Sequence, residues 1–484
     1  MFFINNTPAI PLTLIGLGQA GTRIVDLFAQ LKKNGSYVYD CYALNSNDGD
    51  LQGLKHIDPK KRVSLKLGGF GKNPENAIKI LEEDQEVKAA LEDFLKNKVE
   101  VKEGKPVIFV AGIGGGTGTA TIVKLVEMFN DIYNVNIYQE ELMKIIQEVG
   151  MEYFQANQEE CMERAYPNIQ KRLTKIGIIA TIPVRSDGPE VLRQSSNFAN
   201  KLWQMSLDED SNISFVHFPD NQLAYDEWSN DNLSFSDYRE YANNKIFTAI
   251  HELNTAMTGG GTDVTMDVAD FSRIVLEGKG CFVMNKVVKN NSEISSPNDL
   301  RDMLLEGVHG GTMHSPIQFE VESKDGNGKV IAPIHNMGLF SVISQDKETL
   351  GSSFLDVARD KISKEMFING IIYTGYLKGR TKYENTSYVF YKVEALPDRL
   401  AKGLKQEFDE YMQRQRAVRF QSADIETIEN QNAKKAMKLS DNMLKKLGLD
   451  KPTEQVAATD EKPTFDPSKI DLSSVDWKAF KGKK

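Results

Sequence analysis

Two glycine runs, each set between an apolar stretch and a helix-like repeat, constrain this chain more than anything else in it. Residues 11–15 are largely apolar and stop at Gly16-Leu17-Gly18-Gln19-Ala20-Gly21, after which Ile24, Val25, Leu27, Phe28 and Leu31 recur at helical spacing. Residues 106–111 read as a buried strand that ends in Gly112-Ile113-Gly114-Gly115-Gly116-Thr117-Gly118-Thr119, with an amphipathic helix over 120–129. Strand, glycine turn and helix, repeated in this way, predict an α/β protein: a doubly wound parallel sheet with ligand loops at the strand C-termini.

The rest of the pattern fits that frame. A strand over 37–44 ends at Asn45-Ser46-Asn47-Asp48-Gly49, and the loop Gly68-Gly69-Phe70-Gly71-Lys72-Asn73 leads into a helix with Pro74 as its first residue. Residues 138–175 are Glu- and Gln-rich and mostly helical, a predicted insertion on the flank of the sheet. Strands over 176–183 and 213–218 follow, and then a helix of about five turns over 238–257, broken by Gly259-Gly260-Gly261. The expected organisation is a nucleotide-binding domain (1–237, insertion about 130–175), a long central helix (238–258), a smaller α/β domain (259–398), C-terminal helices (399–448) and a flexible tail (449–484). The smaller domain contains no second phosphate-type glycine run.

With 484 residues, 40% of them apolar, the chain has material for two or three folded units. Lys and Arg number 59 against 68 Asp and Glu, a net charge of −9, which argues against direct, sequence-specific DNA binding by the body of the protein. Cys41, Cys161 and Cys281 lie far apart without CxxC spacing, as expected of a reducing cytoplasm. No apolar run approaches the roughly 18 residues a membrane span needs, and residues 1–21 lack an export signal. His217, His251, His309, His314 and His335 show no metal-ligand spacing, so no metal site built from protein ligands is expected.

Gly16-x-Gly18-x-x-Gly21 matches a dinucleotide fingerprint, but the position expected to carry a ribose-binding acid reads Asn45. The second run supplies successive amides with no Cβ in the way, together with the Thr117 and Thr119 hydroxyls at the opening of a helix, a phosphate nest. Two such loops in one sheet imply a ligand with several phosphates. No Walker A sequence occurs: Gly71-Lys72 is followed by Asn73, and Gly328-Lys329 by Val330. A nicotinamide-dependent oxidoreductase accounts for the first run and leaves the second without purpose.

Gly114-Gly115-Gly116-Thr117-Gly118-Thr119 resembles the tubulin signature, and the series of loops falls in the order of the tubulin and FtsZ superfamily. By that resemblance Gly16, Gly18, Gln19, Ala20 and Gly21 form the first phosphate loop, Asn45 and Asp48 belong to the second, and Gly69, Gly71, Lys72 and Asn73 belong to the third, near the γ-phosphate. Gly114, Gly115, Gly116, Thr117, Gly118 and Thr119 form the fourth. Pro183, Asp187 and Glu190 fall on the ribose side, and Asn221 and Asn243 fall where the family reads guanine. Asp220 precedes Asn221 where bacterial relatives usually have the amide first, and Asn243 replaces an aspartate. Thr265-x-Asp267-x-x-Asp270 resembles the seventh loop, whose carboxylates act on the nucleotide of the next subunit, so Asp267 and Asp270 are the expected catalytic pair. A helix cap is the structural alternative for one of them.

The resemblance thus implies a cytoplasmic GTPase that binds GTP, GDP and Mg2+ and assembles head to tail into filaments, most like the plasmid-partition TubZ type. An FtsZ-like division scaffold remains the alternative. The tail ends in Trp477-Lys478-Ala479-Phe480-Lys481-Gly482-Lys483-Lys484, aromatics among lysines with no core to enter, expected to dock a DNA-binding adaptor protein rather than a membrane.

Overall fold

Six strands pair in parallel, all but the third of them buried and largely apolar: β1 (Thr13–Leu17), β2 (Asp40–Asn45), β3 (Arg62–Ser64), β4 (Val107–Gly112), β5 (Ile176–Thr181) and β6 (Ile213–His217). The computed structural model describes residues 7–70, 73–208, 211–230, 235, 237–258, 266–323, 326 and 328–421. The six strands lie in the order β3-β2-β1-β4-β5-β6. Successive side chains face opposite sides: Leu14, Ile108 and Val110 enter one core, while Ile15, Phe109 and Ala111 enter the other. Helices therefore cover both faces, as an all-parallel sheet requires.

Beyond β6 the sheet continues. Four further strands, β7 (Cys281–Asn290), β8 (Ile334–Ser344), β9 (Ile372–Thr381) and β10 (Glu384–Val393), extend it in the order β6-β7-β10-β8-β9. β7 joins β6 in parallel through the pair Val216↔Cys281, and β10 runs antiparallel to both β7 and β8. The result is one mixed ten-stranded sheet rather than two separate ones.

One strand boundary differs from the sequence expectation. The strand over 37–44 starts at Asp40, because Asn34 and Gly35 take positive φ (51° and 81°) and fold Lys32–Lys33 against Ser36–Tyr37 as a small hairpin. Ahead of β7 the helix Val268–Leu276 is separated from the strand by Gly278 and Gly280 (φ 76° and 113°).

The flank insertion forms three helices, Val135–Val149, Met151–Ala156 and Gln158–Arg172, around Ile137, Ala165, Ile169 and Leu173. The long helix spans Tyr238–Ala256, 19 residues and so about 28 Å, with the Asp237 carboxylate accepting from the Arg239 N–H at its start. After β10 the chain passes through Arg399–Gly403 into the helix Leu404–Gln421. The expected remainder of the C-terminal helices, the tail, and the Gly259-Gly260-Gly261 break lie outside the described residues. Among those described, no helix is long and apolar enough to cross a membrane.

Candidate functional site

In the strand order 3-2-1-4-5-6, connections leaving β1 and β4 go to opposite sides, and the crevice between their C-terminal ends is the place where such sheets bind ligands. A cleft of about 400 Å³ opens there, lined by both glycine runs. The two loops touch: Gly18 has φ 65°, and a Cβ on it would lie 2.7 Å from the Gly118 nitrogen. At Gly115 the nearest atom to an added Cβ is the Gly112 carbonyl oxygen, 3.8 Å away, so this residue leaves its space open. The helix Thr117–Phe129 starts in this loop, which sets the positive end of its dipole and its unpaired N–H groups beside the cleft.

The side walls are polar. Asp50 lines the cleft and accepts from Gln19 Nε2 at 3.2 Å and Asn45 Nδ2 at 3.0 Å, while the hydroxyls of Ser46 and Thr117 meet at 2.7 Å. At the far end stand Pro183, Asp187, Asn221 and, from the first turns of the long helix, Tyr238, Arg239 and Asn243. The Arg239 guanidinium lies 4.6 Å from the centre of the Tyr238 ring. The side-chain amides of Asn221 and Asn243 have no protein partner among the described residues, which leaves both able to read a ligand edge.

This architecture is shared with known proteins. A GTPγS-form protofilament structure of Bacillus thuringiensis serovar israelensis TubZ superposes with a TM-score of 0.64 at 16% identity, over 87% of this chain and 95% of that one. The GDP-bound monomer of Haloferax volcanii CetZ1 superposes with a TM-score of 0.54 at 18% identity, over 83% and 100%. In sequence, Haloferax volcanii CetZ1 is 35% identical over 135 residues and Bacillus cereus TubZ 21% over 343. The chain is a tubulin/FtsZ superfamily protein. Its fold is TubZ-like, since the TubZ match runs through 68% of this chain and 67% of the relative. The CetZ1 match spans about a third (33%) of that relative's length. No family model matches the chain.

The tubulin-like loops place the predicted residues unevenly. Gly18, Gln19, Ala20, Asn45, Gly114, Gly115, Gly116, Thr117, Gly118, Pro183, Asp187, Asn221 and Asn243 all line the cleft. Gly16 and Gly21 do not: added Cβ atoms there would lie 2.6 Å from the Gly21 oxygen and 1.9 Å from the Val110 oxygen, so both serve the packing of the first helix on β1 and β4. Thr119 is fully buried and its hydroxyl donates back to the Gly115 and Gly112 carbonyls, fastening the loop rather than facing a phosphate. Asp48 sits in the first turn of the helix Asp48–Gln52, capped by Asn47, and is not part of the lining; Asp50, two residues on, is the carboxylate that enters.

In the third loop Phe70 lines the cleft while Gly69 and Asn73 do not, Asn73 instead capping the helix Pro74–Glu83 through the Asn76 N–H. Gly71 and Lys72 lie outside the described residues. Glu190 is also absent from the lining, bound to Arg193 at 2.6 and 3.0 Å and to Gln194 at 3.0 Å. Asp220 is not part of the lining: its Oδ1 accepts from Arg399 Nη1 at 2.5 Å and from the Gln222 N–H at 2.9 Å. Burial pushes this carboxyl above its ordinary value against the pull of the Arg399 guanidinium.

Asp267 and Asp270 stand away from the cleft of their own chain. They form a capping box on the helix Val268–Leu276, the Asp270 N–H donating to Asp267 at 2.8 Å and the Asp267 N–H to Asp270 at 3.3 Å. Capping therefore engages both carboxylates, not one as the sequence reading supposed. Thr265 lies outside the described residues. Sequence reasoning missed Arg23, Asp50, Tyr238 and Arg239, which all line the cleft. Asp50 carried one signal, an acid on the short helix that follows the second strand.

Proposed function

We propose that this chain binds GTP and GDP in the cleft between β1 and β4, hydrolyses GTP at contacts between subunits stacked head to tail, and so forms nucleotide-dependent filaments. The observation that carries this reading is the junction of the two glycine loops beneath a helix N-terminus, with Gly115 open above it. Phosphate oxygens on the amides of Gly114, Gly115, Gly116 and Gly118 take hydrogen bonds that no Cβ obstructs, and the helix dipole favours their charge. The ribose lies by Pro183 and Asp187. The base lies against Tyr238, between Asn221 and Asn243, whose amides offer both donors and acceptors to a purine edge.

The donor set also suits a hard cation carried in with the phosphates. Asp50, oriented by Gln19 and Asn45, offers carboxylate oxygens, and Mg2+ takes one or two carboxylates with phosphates and waters. Bound there, Mg2+ would neutralise developing phosphate charge. Asp267 and Asp270, exposed or half-buried on a helix start and outside the lining of their own cleft, fit a role at the nucleotide of the adjoining subunit, where a carboxylate orients and polarises the attacking water.

TubZ similarity over most of the chain favours a role in moving plasmid DNA through an adaptor bound to the tail; one of the similar structures is described as a type III plasmid segregation TubZ. The test is sedimentation of the purified full chain with GTP against GDP while phosphate release is followed. GTP-dependent pelleting, with turnover per subunit that rises with protein concentration, supports the reading. Absence of any bound guanine nucleotide refutes it.

A further inference from the structure

Arg399 begins the C-terminal segment, yet its side chain is only 6% exposed and reaches the loops behind the cleft. Its Nη1 donates to the Pro183 carbonyl at 2.8 Å and to Asp220 Oδ1 at 2.5 Å, while its Nε and Nη2 each donate to Glu407 at 3.0 Å. Pro183 lines the cleft, and Asp220 immediately precedes Asn221, which also lines it. Those two loops are zipped together, the Ile182 N–H donating to the Pro219 carbonyl at 2.8 Å and the Asn221 N–H to the Ile182 carbonyl at 3.1 Å. One guanidinium thus spans the end of both walls that flank the ribose and base positions.

The other side of the same group holds a helix. Leu400 and Leu404 are buried, but past Leu404 the residues up to 417 are exposed or half-buried, so apolar packing fixes only the start of the helix Leu404–Gln421. Glu407 supplies its next anchor, taking Arg399 from one direction and Arg185 Nε at 3.0 Å from the other. The segment 183–188 is then a partition. Pro183 and Asp187 face the nucleotide cleft, and Arg185, Ser186 and Gly188 face a second cleft of about 1080 Å³ whose opposite side includes Gln406, Glu410 and Tyr411.

We propose that Arg399 is a positioning residue for the nucleotide cleft, making nucleotide affinity depend on the seating of the C-terminal helix. The inference rests on the reading that the cleft holds a guanine nucleotide. By linkage the dependence is reciprocal: nucleotide occupancy firms the seat of the helix, and a partner that draws the helix away weakens nucleotide binding by the same factor. Lysine cannot replace this residue, because a point ammonium cannot meet Pro183, Asp220 and both Glu407 oxygens at once in the planar geometry of the guanidinium.

The experiment measures GDP affinity and release rate with a fluorescent GDP on the full chain, in wild type, Arg399→Lys, Glu407→Gln and Ile362→Ala. The last is a core truncation on the helix Ser353–Glu365 that lowers stability without touching either cleft. Hydrogen exchange over 182–188 and 404–417 is read with and without GDP. Arg399→Lys is expected to weaken GDP about tenfold through faster release, and to abolish the protection that GDP confers on 404–417 in wild type. Ile362→Ala, at an equal or larger drop in Tm, is expected to change affinity less than about twofold.

Wild-type affinity in Arg399→Lys overturns the proposal, and so does equal weakening by Ile362→Ala, which makes the effect one of general stability. Should Arg399→Lys fail to fold, Glu407→Gln carries the test: a weakening of about threefold supports the proposal and none overturns it. A wild type that binds no GDP refutes the reading of the cleft and the coupling with it, an outcome distinct from a wild type that binds and a variant that binds equally well.

Discussion

Gly115→Val separates the two jobs that glycine does in this site. At Gly115 an added Cβ meets nothing nearer than a carbonyl oxygen at 3.8 Å, and the backbone is not in the left-handed region, so the folded chain accepts a side chain there. Removing glycine's freedom in the unfolded state is itself worth about 0.4–1 kcal/mol in favour of folding, for alanine at a compatible site. The new methyl groups occupy the space a phosphate needs. Blocking two charge-assisted amide bonds, each about 1.5–3 kcal/mol, removes about 3–6 kcal/mol of binding. At about 1.4 kcal/mol per tenfold, affinity for GTPγS falls roughly 10²- to 10⁴-fold. Gly21→Ala is the opposite case: its Cβ would sit 1.9 Å from the Val110 oxygen, so the loss is in folding, about 3 kcal/mol or more. Calorimetric titration with GTPγS, paired with thermal unfolding of both variants, reads the contrast. A folded Gly115→Val that keeps wild-type affinity refutes the phosphate assignment, and one with a Tm as low as that of Gly21→Ala refutes the claim that the space is open.

Three further outcomes are expected. Asp267→Asn keeps an N-cap acceptor but removes a carboxylate, so it should still pellet with GTP while turning over about a hundredfold more slowly, about 2.7 kcal/mol of barrier; unchanged phosphate release would remove Asp267 from the hydrolytic pair. Lys392 is fully buried with its ammonium on the Ser214, Val275 and Gly278 carbonyls, each at 3.2 Å, and burial lowers its pKa to about 7. Below that pH both folded and unfolded forms are protonated; above it the unfolded chain holds the extra proton until its own, ordinary pKa of about 10.4, so this group makes stability rise with pH through that window. Denaturant titrations at pH 7 and pH 9 should show that rise in wild type and a smaller one in Lys392→Met, and equal slopes would place the titration elsewhere. Ending the chain near Leu449 should preserve GTP-dependent pelleting and weaken salt-sensitive capture of a DNA–adaptor complex, whereas equal capture at every salt concentration would remove the tail as the docking element.

The glycine wall of the cleft was legible because it is backbone chemistry: successive glycines after an apolar run state where amides are exposed, and Gly18 and Gly114 through Gly118 line the cleft accordingly. Within the same motifs, sequence could not separate glycines that face a ligand from glycines that face a strand. Gly16, Gly21 and Thr119 belong to the second kind, and only the packing distances tell. Side-chain walls were less legible, since a five-residue helix turns Asp50 rather than Asp48 inward, and the start of the long helix turns Tyr238 and Arg239 inward with Asn243. The Asp220–Arg399 pair joins residues 179 positions apart, and no local pattern announces it. The continuity of the sheet past β6 was equally hidden, because it depends on a pairing at one residue of β6, Val216, with Cys281.

The Tyr238 end of the cleft is positioned from a distance. Tyr238 and Asn243 stand on a helix about 28 Å long whose other end is held by buried polar contacts rather than by a loop. Asn254 clasps the backbone of Ile10 in both directions at 2.8 Å, ahead of β1. Two residues earlier the Glu252 carboxylate, 1% exposed, accepts from Lys286 Nζ at 2.6 Å on β7 and from the Tyr388 hydroxyl at 2.7 Å on β10. The Glu252–Tyr388 bond is buried and the Lys286 pair partly so, and leaving the Glu252 carboxylate unpaired there costs more than thermal energy, so this end of the helix cannot slide or turn without losing those bonds. A rigid rod fixed to β1 on one side and to β7 and β10 on the other carries that constraint to its first turn. Tyr238 and Asn243 on the cleft wall are therefore placed by the junction of the two halves of the sheet, which explains why so little local sequence around Tyr238 announces a cleft.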